Sequence, residues 1–482
     1  MSAGFRRAKI VSTIGPATWE PEVFHQMVEA GADAVRLNFS HTSHDRAAEI
    51  LAMVNRSILD SGRPIATIGD LGGPKVRVAD LKDDVLEVEA DRLYWFVPEG
   101  HELPDLCDPQ RVIPTTYSEL SGELELGNRI LLDDGRFEFL VEEKEPAGYW
   151  ICARAFRSGQ LKSHKGINLP NVQLSAPSLT AKDREDIVFS REQALDYIAL
   201  SFVQCPSDLE TARQQMDKDG LLVAKIEKAQ ALNSLAEIID ASDAVMVARG
   251  DLGVELPYEE VPMIQKRIIR LAQERARPVI TATQMLESMI ESPRPTRAEV
   301  SDVTAALFDG TDAVMLSAET AIGTYPVEAV ETMDRIIRRI EHERLTSTGR
   351  VGKPIRGSQQ IQQTASGAIA AAARRAVERL DSPCIVTFTR SGYTARIVSA
   401  QRPNVPILAV SDRPRTFNQL ALSWGVQPVL FQGEVSYENM LECAREAALD
   451  LGMGVTGQRF VVTAGVPFHV PGTTNMMRIE EF

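Results

Sequence analysis

Hydrophobic and polar positions alternate in two distinct ways along the first 345 residues of this 482-residue chain. Short apolar, β-branched runs recur, and between them apolar residues return every three or four positions, as on one buried face of a helix. The runs predict eight strands, at residues 9–14, 34–38, 64–69, 197–201, 222–226, 244–247, 278–283 and 313–317. The segments between them predict helices at 21–30, 44–59, 182–193, 207–216, 230–239, 258–274, 296–308 and 326–340. Eight strands that are each followed by a helix predict a (β/α)8 TIM barrel, an α/β fold.

One connection in this pattern is far too long for a loop. More than a hundred residues separate the third and fourth predicted strands, whereas such loops usually contain only a few. Further strand patterns lie at 85–88, 93–96, 129–132, 137–141 and 150–155, with turns predicted at 133–135 and 146–148. We therefore predict an inserted β-barrel lid domain over residues 74–177, with the main barrel formed by 1–73 and 178–345.

The pattern changes again beyond residue 345. Residues 346–358 have the Gly- and Ser-containing composition typical of a linker. An Ala-rich helix is predicted at 359–380, followed by strands at 384–389, 406–410, 426–430 and 460–463 with helical segments between them. This alternation predicts a C-terminal doubly wound α/β domain over residues 346–482.

Composition narrows the class of protein. The chain is 44% hydrophobic and 25% charged, as is usual for a globular protein, and its formal net charge of −15 argues against a nucleic-acid binder. Its five cysteines are odd in number and lack CxxC spacing, which favours reduced thiols. The sequence has neither a signal-peptide pattern nor an apolar run near the roughly 20 residues of a membrane span. We expect a cytoplasmic protein that binds neither membranes nor nucleic acid.

Two motifs at the ends of predicted strands carry candidate chemistry. Lys225 and Glu227 close one apolar run, and Asp251 follows the next. In this type of barrel the active site lies at the carboxyl ends of the strands. Carboxylate oxygens suit Mg²⁺, and an ammonium beside them can neutralise a phosphoryl group during its transfer.

Other polar residues follow the remaining predicted strands. Strands that emerge into water also end on polar residues, and this plain explanation has most weight for Ser317 and Glu319. The charges of Lys225, Glu227 and Asp251, together with Arg36, instead favour a site for a substrate that bears both phosphate and carboxylate. Backbone N–H groups from Gly250 onward could receive the carboxylate if they open a helix. The full strand-end set also includes Asn38, Ser40, Asp70 and Thr283.

These residues resemble those of the pyruvate kinase family. The match runs in order from about Lys9 to Ile479, nearly the whole chain. Its motifs are KIVSTIGPA (9–17), RLNFSH (36–41), GPKVR (73–77), DDG (133–135), KGINLP (165–170), KIE (225–227), RGDLG (249–253), TATQMLESM (281–289) and PRPTRAE (293–299).

The resemblance implies transfer of a phosphoryl group from phosphoenolpyruvate to ADP, giving pyruvate and ATP. It implies that Lys225 stabilises the group in transit and that Arg36 binds the substrate phosphate. Thr283 would help deliver a proton to the enolate through water, and the substrate would also contact Gly250 and Asp251. The resemblance further implies Mg²⁺ (or Mn²⁺) on Glu227 and Asp251, and a homotetramer.

The nucleotide contacts implied by the resemblance lie around the inserted domain. Asn38 and His41 would flank the pocket, while Arg77 and Lys165 would bind the nucleotide phosphates. The alternative for Lys165 is an ordinary solvated loop lysine. The inserted domain would act as a lid that excludes water when both substrates are bound.

The chain departs from the family pattern at a monovalent-cation site. Many family members hold K⁺ at positions that match Asn38, Ser40 and Asp70. Here Leu71 replaces a threonine, and Lys75 replaces a glutamate, as in a K⁺-independent branch of the family. Because the ammonium of Lys75 can supply the missing positive charge, we predict activity without K⁺.

A second site is expected in the C-terminal domain. The loop after its first strand contains Thr389, Arg390, Ser391 and Thr394, and in the family this loop receives the phosphate of an allosteric effector. An ordinary N-capped helix explains the same residues. The last loop, 465–472, lacks the tryptophan and arginine with which some relatives bind fructose 1,6-bisphosphate, which favours another sugar phosphate or AMP.

Two other functions fit part of the pattern. Other Mg²⁺-dependent barrel enzymes bind phosphoenolpyruvate or pyruvate, although they lack the lid and the trailing domain. A catalytically silent effector sensor would be expected to have lost Lys225, Glu227, Asp251 or Thr283, and all four are present.

Overall fold

The computed structural model of the protein describes residues 5–101, 107–145, 149–170, 172, 175, 177–346, 363–467 and 474–482. The turn predicted at 146–148 lies outside the described residues. So do most of the linker predicted at 346–358, the first residues of the helix predicted at 359–380, and residues 468–472 of the last loop.

Eight parallel strands close into a barrel, which confirms the predicted fold. Neighbours around the barrel follow the order β1-β16-β15-β14-β13-β12-β3-β2. Their bounds are Lys9–Thr13 (β1), Ala34–Asn38 (β2), Ala66–Asp70 (β3), Tyr197–Leu200 (β12), Leu221–Ile226 (β13), Ala244–Ala248 (β14), Val279–Ala282 (β15) and Ala313–Leu316 (β16).

Helices follow the barrel strands, and their ends are set by local sequence. Thr296, for example, caps the helix that begins at Arg297 and shares a capping box with Glu299. The barrel helices are Pro21–Ala30 (α1), His44–Ser61 (α2), Ala181–Glu192 (α4), Pro206–Arg213 (α5), Leu235–Ala241 (α6), Arg249–Glu255 (α7), Val261–Gln273 (α8), Arg297–Asp309 (α9), Ala318–Ala321 (α10) and Pro326–Thr346 (α11). Short 3-10 helices lie at Pro16–Thr18, Lys82–Asp84, Pro109–Arg111, Ala229–Ser234, Glu287–Ile290 and Leu420–Leu422.

The barrel strands bury both of their faces. Ala34 and Val223 belong to the small-residue cluster inside the barrel, whereas Val35 and Leu222 pack outward against the helices. Since side chains alternate along a strand, Arg36 shares the interior face with Ala34, and Lys225 shares it with Val223. The alternation of side chains along each strand thus places Arg36 and Lys225 on the interior face, near the mouth of the barrel.

The inserted domain is a β-structure nearly closed into a barrel. Its larger sheet has six strands in the order β11-β7-β8-β9-β5-β6. Arg77 bridges to Gly166 beside one edge strand, and Val78 bridges to Thr115 on the other, so this short segment joins the two edges. The elements are Val85–Val88 (β4), Leu93–Pro98 (β5), Val112–Thr115 (β6), Leu120–Glu123 (α3), Arg129–Leu132 (β7), Phe137–Lys144 (β8), Ile151–Ala155 (β9), Gly159–Lys162 (β10) and Ile167–Asn168 (β11).

The C-terminal domain is a five-stranded sheet in the order β19-β18-β17-β20-β21, parallel except for β21. One hydrophobic cluster covers the sheet face beneath helices Ala365–Leu380 and Tyr393–Ala400, and a second covers the face beneath helix Tyr437–Asp450. This confirms the predicted doubly wound domain. Its elements are Ala365–Leu380 (α12), Ile385–Phe388 (β17), Tyr393–Ala400 (α13), Ile407–Ser411 (β18), Pro414–Gln419 (α14), Val426–Leu430 (β19), Tyr437–Asp450 (α15), Arg459–Ala464 (β20) and Met476–Glu481 (β21).

The C-terminal domain packs against the amino-terminal end of the barrel and covers it. Leu422 joins the hydrophobic cluster inside the barrel. The Tyr197 hydroxyl donates to the Gln419 carbonyl at 2.8 Å, and Lys9 Nζ donates to the Val426 carbonyl at 2.8 Å. Tyr197 and Lys9 begin their strands, so this domain lies opposite the strand ends that carry the candidate chemistry. Among the described helices, none has the length and apolar character needed to span a bilayer.

Candidate active site

The ammonium of Lys225 lies at the centre of a buried charged cluster. Its Nζ is 3.0 Å from Asp70 Oδ1 and 2.9 Å from Glu227 Oε1, and it donates to Ser201 Oγ at 2.6 Å. Burial alone would lower the pKa of Lys225, but the charges of Asp70 and Glu227 raise it above its ordinary value. Lys225 is therefore positively charged at any physiological pH.

Arg36 shares Asp70 with Lys225. Its Nε is 2.5 Å from Asp70 Oδ2, and its Nη1 donates to Thr13 Oγ1 at 3.1 Å. Burial would raise the pKa of Asp70, but the positive charges of Arg36 and Lys225 hold it below its ordinary value. One buried carboxylate thus fixes two cations side by side.

Glu227 and Asp251 form a pair of carboxylates near this cluster. Glu227 Oε2 accepts a hydrogen bond from the Phe202 backbone N–H at 2.9 Å. Burial, and next the negative charge of Glu227, raise the pKa of Asp251 to about 6, although Lys225 and Lys75 act against this shift. Two repelling carboxylates with hard oxygen donors fit a divalent cation of the Mg²⁺ type. Within the described ranges, no third carboxylate, imidazole or thiol group completes this pair.

Thr283 is held in a left-handed backbone conformation with φ of 68°. Its Oγ1 accepts from the Gly250 N–H at 2.8 Å and donates to the Ala282 carbonyl at 2.7 Å. The Arg249 side chain donates to the Thr283 carbonyl at 2.8 Å. The RGDLG motif does open a helix, but the Gly250 amide expected to receive a substrate carboxylate is already bonded to Thr283.

The proposed nucleotide residues lie where the barrel meets the inserted domain. Burial first, then the positive charges of Arg77, Arg36 and Lys75, lower the pKa of His41, so these cations lie around it. Arg77 donates to the His164 carbonyl at 3.0 Å. Asn38 lies on the barrel side, where its Oδ1 accepts from the Ser40 N–H at 3.2 Å. Lys165 lies in the inserted domain, where its Nζ is 2.7 Å from Asp133 Oδ1.

The positions matching the monovalent-cation site have close neighbours. Both oxygens of Asp70 face cations, as described above, and Leu71 is buried. Ser40 Oγ lies against Gly72, where an added Cβ would be 3.0 Å away. Lys75 packs on Gly166 so closely that a Cβ there would lie 2.9 Å from Lys75 Cε. The lysine therefore runs between the barrel and the inserted domain, and its charge acts on both Asp251 and His41.

Comparison with known proteins agrees with this geometry. A family model described as "Pyruvate kinase, barrel domain" matches residues 5–330, and one described as "Pyruvate kinase, alpha/beta domain" matches residues 367–480. The chain is 42% identical over 478 residues to the pyruvate kinase of Agrobacterium vitis, covering 99% of this chain and 98% of that protein. It is 40% identical over 474 residues to the pyruvate kinase of Methylorubrum extorquens, covering 98% and 97%.

The chain belongs to the pyruvate kinase family. It is also 40% identical over 481 residues to the pyruvate kinase of Mycobacterium tuberculosis, covering 98% of each chain. Family membership confirms the predicted class of enzyme, a phosphotransferase, and pyruvate kinases generally use Mg²⁺. The other barrel enzymes considered from the sequence are thereby set aside.

The candidate effector loop of this pyruvate kinase family member divides into buried and accessible residues. Thr389 and Thr394 are buried, and Thr394 Oγ1 is 2.9 Å from Thr474 Oγ1. Ser391 is exposed, and the Arg390 guanidinium lies 4.0 Å from Asp412. Of the four residues, Arg390 and Ser391 are therefore the ones directly accessible to a ligand.

Sequence reasoning missed several residues of the site. Ser201 contacts Lys225, and the Phe202 amide contacts Glu227. Ser201 ends a predicted strand and Phe202 directly follows it, so the rule used for the other strands could have included both. Outside this cluster, a second buried pair, Lys228 and Glu255 at 2.6 Å, links the segment after β13 to the end of α7. Asn168 of the inserted domain reaches the same Glu255 oxygen at 3.5 Å. Only the folded chain brings these segments together.

Proposed function

We propose that this enzyme transfers the phosphoryl group of phosphoenolpyruvate to ADP, giving pyruvate and ATP. The observation that carries the proposal is the position of Lys225, a buried and permanently charged ammonium beside the carboxylates of Glu227 and Asp251. Phosphoryl transfer depends mainly on positioning and on neutralising charge in the transition state. This cluster supplies both.

Each proposed role follows from the chemistry of the side chain. Lys225 neutralises charge on the phosphoryl group, and the planar guanidinium of Arg36 grips the substrate phosphate. Glu227 and Asp251 would hold Mg²⁺ (or Mn²⁺), which supplies charge neutralisation at substrate oxygens. Thr283 orients the water that protonates the enolate, since its hydroxyl can turn from the Ala282 carbonyl toward solvent.

ADP binds between the barrel and the inserted domain in this proposal. Arg77 and Lys165 contact the nucleotide phosphates, and Asn38 and His41 border the pocket. The positive charges that lower the pKa of His41 support an anionic ligand there. The inserted domain, over residues 74–177, closes as a lid on the barrel formed by 1–73 and 178–345 and excludes water.

Activity without K⁺ is part of the same proposal. Lys75 brings a fixed positive charge close enough to act on Asp251, while Arg36 and Lys225 already face both oxygens of Asp70. A monovalent cation at the positions of Asn38, Ser40 and Asp70 would therefore add charge to a region that is already neutralised.

The proposal also covers regulation and assembly. The domain of residues 346–482 would bind a sugar phosphate or AMP through Thr389, Arg390, Ser391 and Thr394, with Arg390 and Ser391 making the first contacts. We propose a cytoplasmic homotetramer, as the sequence resemblance implies.

Replacing Lys225 tests the proposed function. With purified protein, pyruvate formation from phosphoenolpyruvate and ADP is coupled to lactate dehydrogenase. Loss of one charge-stabilising group typically lowers kcat about 100- to 1,000-fold, and we expect at least this for Lys225→Met. Unchanged turnover in that variant would reject the role of Lys225.

A matched control separates chemistry from the cost of removing a buried charge. Lys228 is as buried as Lys225 and pairs with Glu255, but has no contact with Asp70 or Ser201 among those described. Lys228→Met should lose comparable stability and keep far more turnover. If the parent protein binds effectors but forms no pyruvate, the catalytically silent sensor is the better description.

A further inference from the structure

The hydroxyl of Ser201 is a neutral partner of the Lys225 ammonium. Ser201 directly follows strand β12, one position beyond the pair formed by Leu200 and Ala224 on neighbouring strands. Ser201 is 3% exposed, and its Oγ is 2.6 Å from Lys225 Nζ and 2.7 Å from the Leu71 carbonyl oxygen. Three barrel strands, β3, β12 and β13, therefore meet at one hydroxyl group.

The direction of both hydrogen bonds is fixed by chemistry. A carbonyl oxygen can only accept, so the Ser201 hydroxyl donates its proton to Leu71. An ammonium can only donate, so a lone pair of Ser201 Oγ receives a proton from Lys225. Because neither partner can exchange roles, the serine lone pair points permanently toward Lys225 Nζ.

A neutral acceptor does something that the two carboxylates cannot. Asp70 and Glu227 hold the ammonium but also neutralise its charge, whereas Ser201 orients it at no such cost. The adjacent residue strengthens the arrangement: Phe202 has a left-handed φ of 57°, and its amide donates to Glu227 at 2.9 Å. The turn after β12 thus contacts both Lys225 and Glu227.

We propose that Ser201 is a positioning residue for phosphoryl transfer, which fixes the direction of the Lys225 ammonium while leaving its charge available. This inference rests on the proposed role of Lys225. Loss of the Ser201 hydroxyl should lower kcat more than it weakens substrate binding. The phosphoryl group needs the Lys225 ammonium most in the transition state, where its negative charge is spread over several oxygens.

The first test compares three variants at one protein concentration. A hydrogen bond to a charged group is strong enough that Ser201→Ala should lower kcat about 10- to 100-fold, with little change in the KM for phosphoenolpyruvate. Ser201→Thr, which keeps the hydroxyl, should stay much closer to the parent. Ser12→Ala is the matched control: Ser12 is a buried barrel serine whose hydroxyl has no hydrogen-bond partner in the described structure, and its loss should leave kcat unchanged.

A double-mutant cycle tests whether Ser201 acts through Lys225. Lys225→Arg keeps a charge but changes the donor geometry, so Ser201→Ala should cost much less in that background than in the parent. An equal cost in both backgrounds, or an unchanged kcat in Ser201→Ala, overturns the inference. If thermal unfolding shows that the alanine variant does not fold, Ser201→Cys, of similar shape and weaker hydrogen bonding, takes its place in the same comparison.

The two proposals can fail separately. Loss of turnover in Lys225→Met with an unchanged Ser201→Ala rejects only the positioning role. Full turnover in Lys225→Met rejects the role of Lys225 and the positioning role with it.

Discussion

Lys75 is a single residue whose charge reaches two parts of the site. It packs against Gly166 of the inserted domain. Its positive charge makes the pKa values of Asp251 and His41 lower than they would be without the lysine. A glutamate at this position would reverse the local charge and leave a place for a monovalent cation. The choice of one side chain would then decide the ion requirement of the enzyme.

We therefore predict that Lys75→Glu acquires a K⁺ requirement. In tetramethylammonium buffer the parent should be fully active, whereas the variant should lose about tenfold or more of its activity, a change of at least about 1.4 kcal/mol, and recover part of it in KCl. Lys82→Glu, the same charge reversal at an exposed lysine of the inserted domain, should show neither effect. A parent enzyme that needs tens of millimolar K⁺ would contradict the proposal.

The connection from strand β3 into the inserted domain depends on the conformation of Gly73. Its φ is 66°, and an added Cβ would lie 2.7 Å from Phe202 Cδ2 and 3.0 Å from Ser201 Cβ. A side chain at this position must therefore push on the turn that contacts Lys225 and Glu227. The conformation of this connection and the geometry of the site are coupled.

We predict that Gly73→Ala lowers both stability and turnover. The left-handed conformation alone costs an L-residue about 1–2 kcal/mol, and the contact with Phe202 should add a loss of kcat. Gly62→Ala provides the control, because Gly62 has a similar φ of 65° and no atom within 4 Å of an added Cβ. Gly62→Ala should show the stability loss alone, as measured by thermal unfolding, and equal kcat values for the two variants would refute the coupling.

Some elements could be predicted from their patterns and others could not. The eight barrel strands are continuous apolar runs buried on both faces, which makes them visible in sequence. Strand Met476–Glu481 is partly exposed and rich in polar residues, so it lacks that pattern and is set by pairing with Arg459–Ala464. Gly159–Lys162 and Ile167–Asn168 are too short to show an alternation. Helix Arg249–Glu255 contains two glycines and is only seven residues long, so its sequence allows a helix without marking its bounds.

The interface between the barrel and the C-terminal domain, which joins the two largest parts of the molecule, contains Asp196. Its Oδ2 accepts from the Thr67 N–H at 2.9 Å and from the Thr67 hydroxyl at 3.0 Å, and Gln419 of the other domain donates to its backbone carbonyl at 3.4 Å. Burial raises the pKa of Asp196 to about 7 from 3.8, although Thr67 and the charge of Arg415 oppose the shift. Between about pH 4 and 7, the folded protein therefore holds a proton on Asp196 that the unfolded chain has already released.

This difference predicts a fall in stability as pH rises toward 7. Since the folded state binds more protons in that range, the free energy of unfolding decreases with increasing pH, and the penalty is complete above pH 7. Asp196→Asn removes the charge, so it should be more stable than the parent by up to about 4 kcal/mol at pH 8 and lose that advantage as the pH falls to about 4. Asp33→Asn is the opposite case, because Arg6 at 2.5 Å and nearby cations lower the pKa of Asp33, and it should destabilise the protein at pH 8. Equal unfolding midpoints for Asp196→Asn and the parent at pH 8 would contradict this account.

The apolar pattern of the sequence is enough to predict the three-part architecture and the strand ends on which Lys225, Glu227 and Asp251 lie. Apolar periodicity is local, and in a parallel barrel it decides which side chains face the interior and at which end they emerge. The partners of these residues come from the folding of distant segments onto one another, which places Asp70 between Arg36 and Lys225 and brings Ser201 to the ammonium. Those contacts join strands that are far apart in the chain. The pKa shifts of Asp70 and Lys225 arise from burial and from the charges that these contacts bring close, and a local sequence pattern carries no information on either.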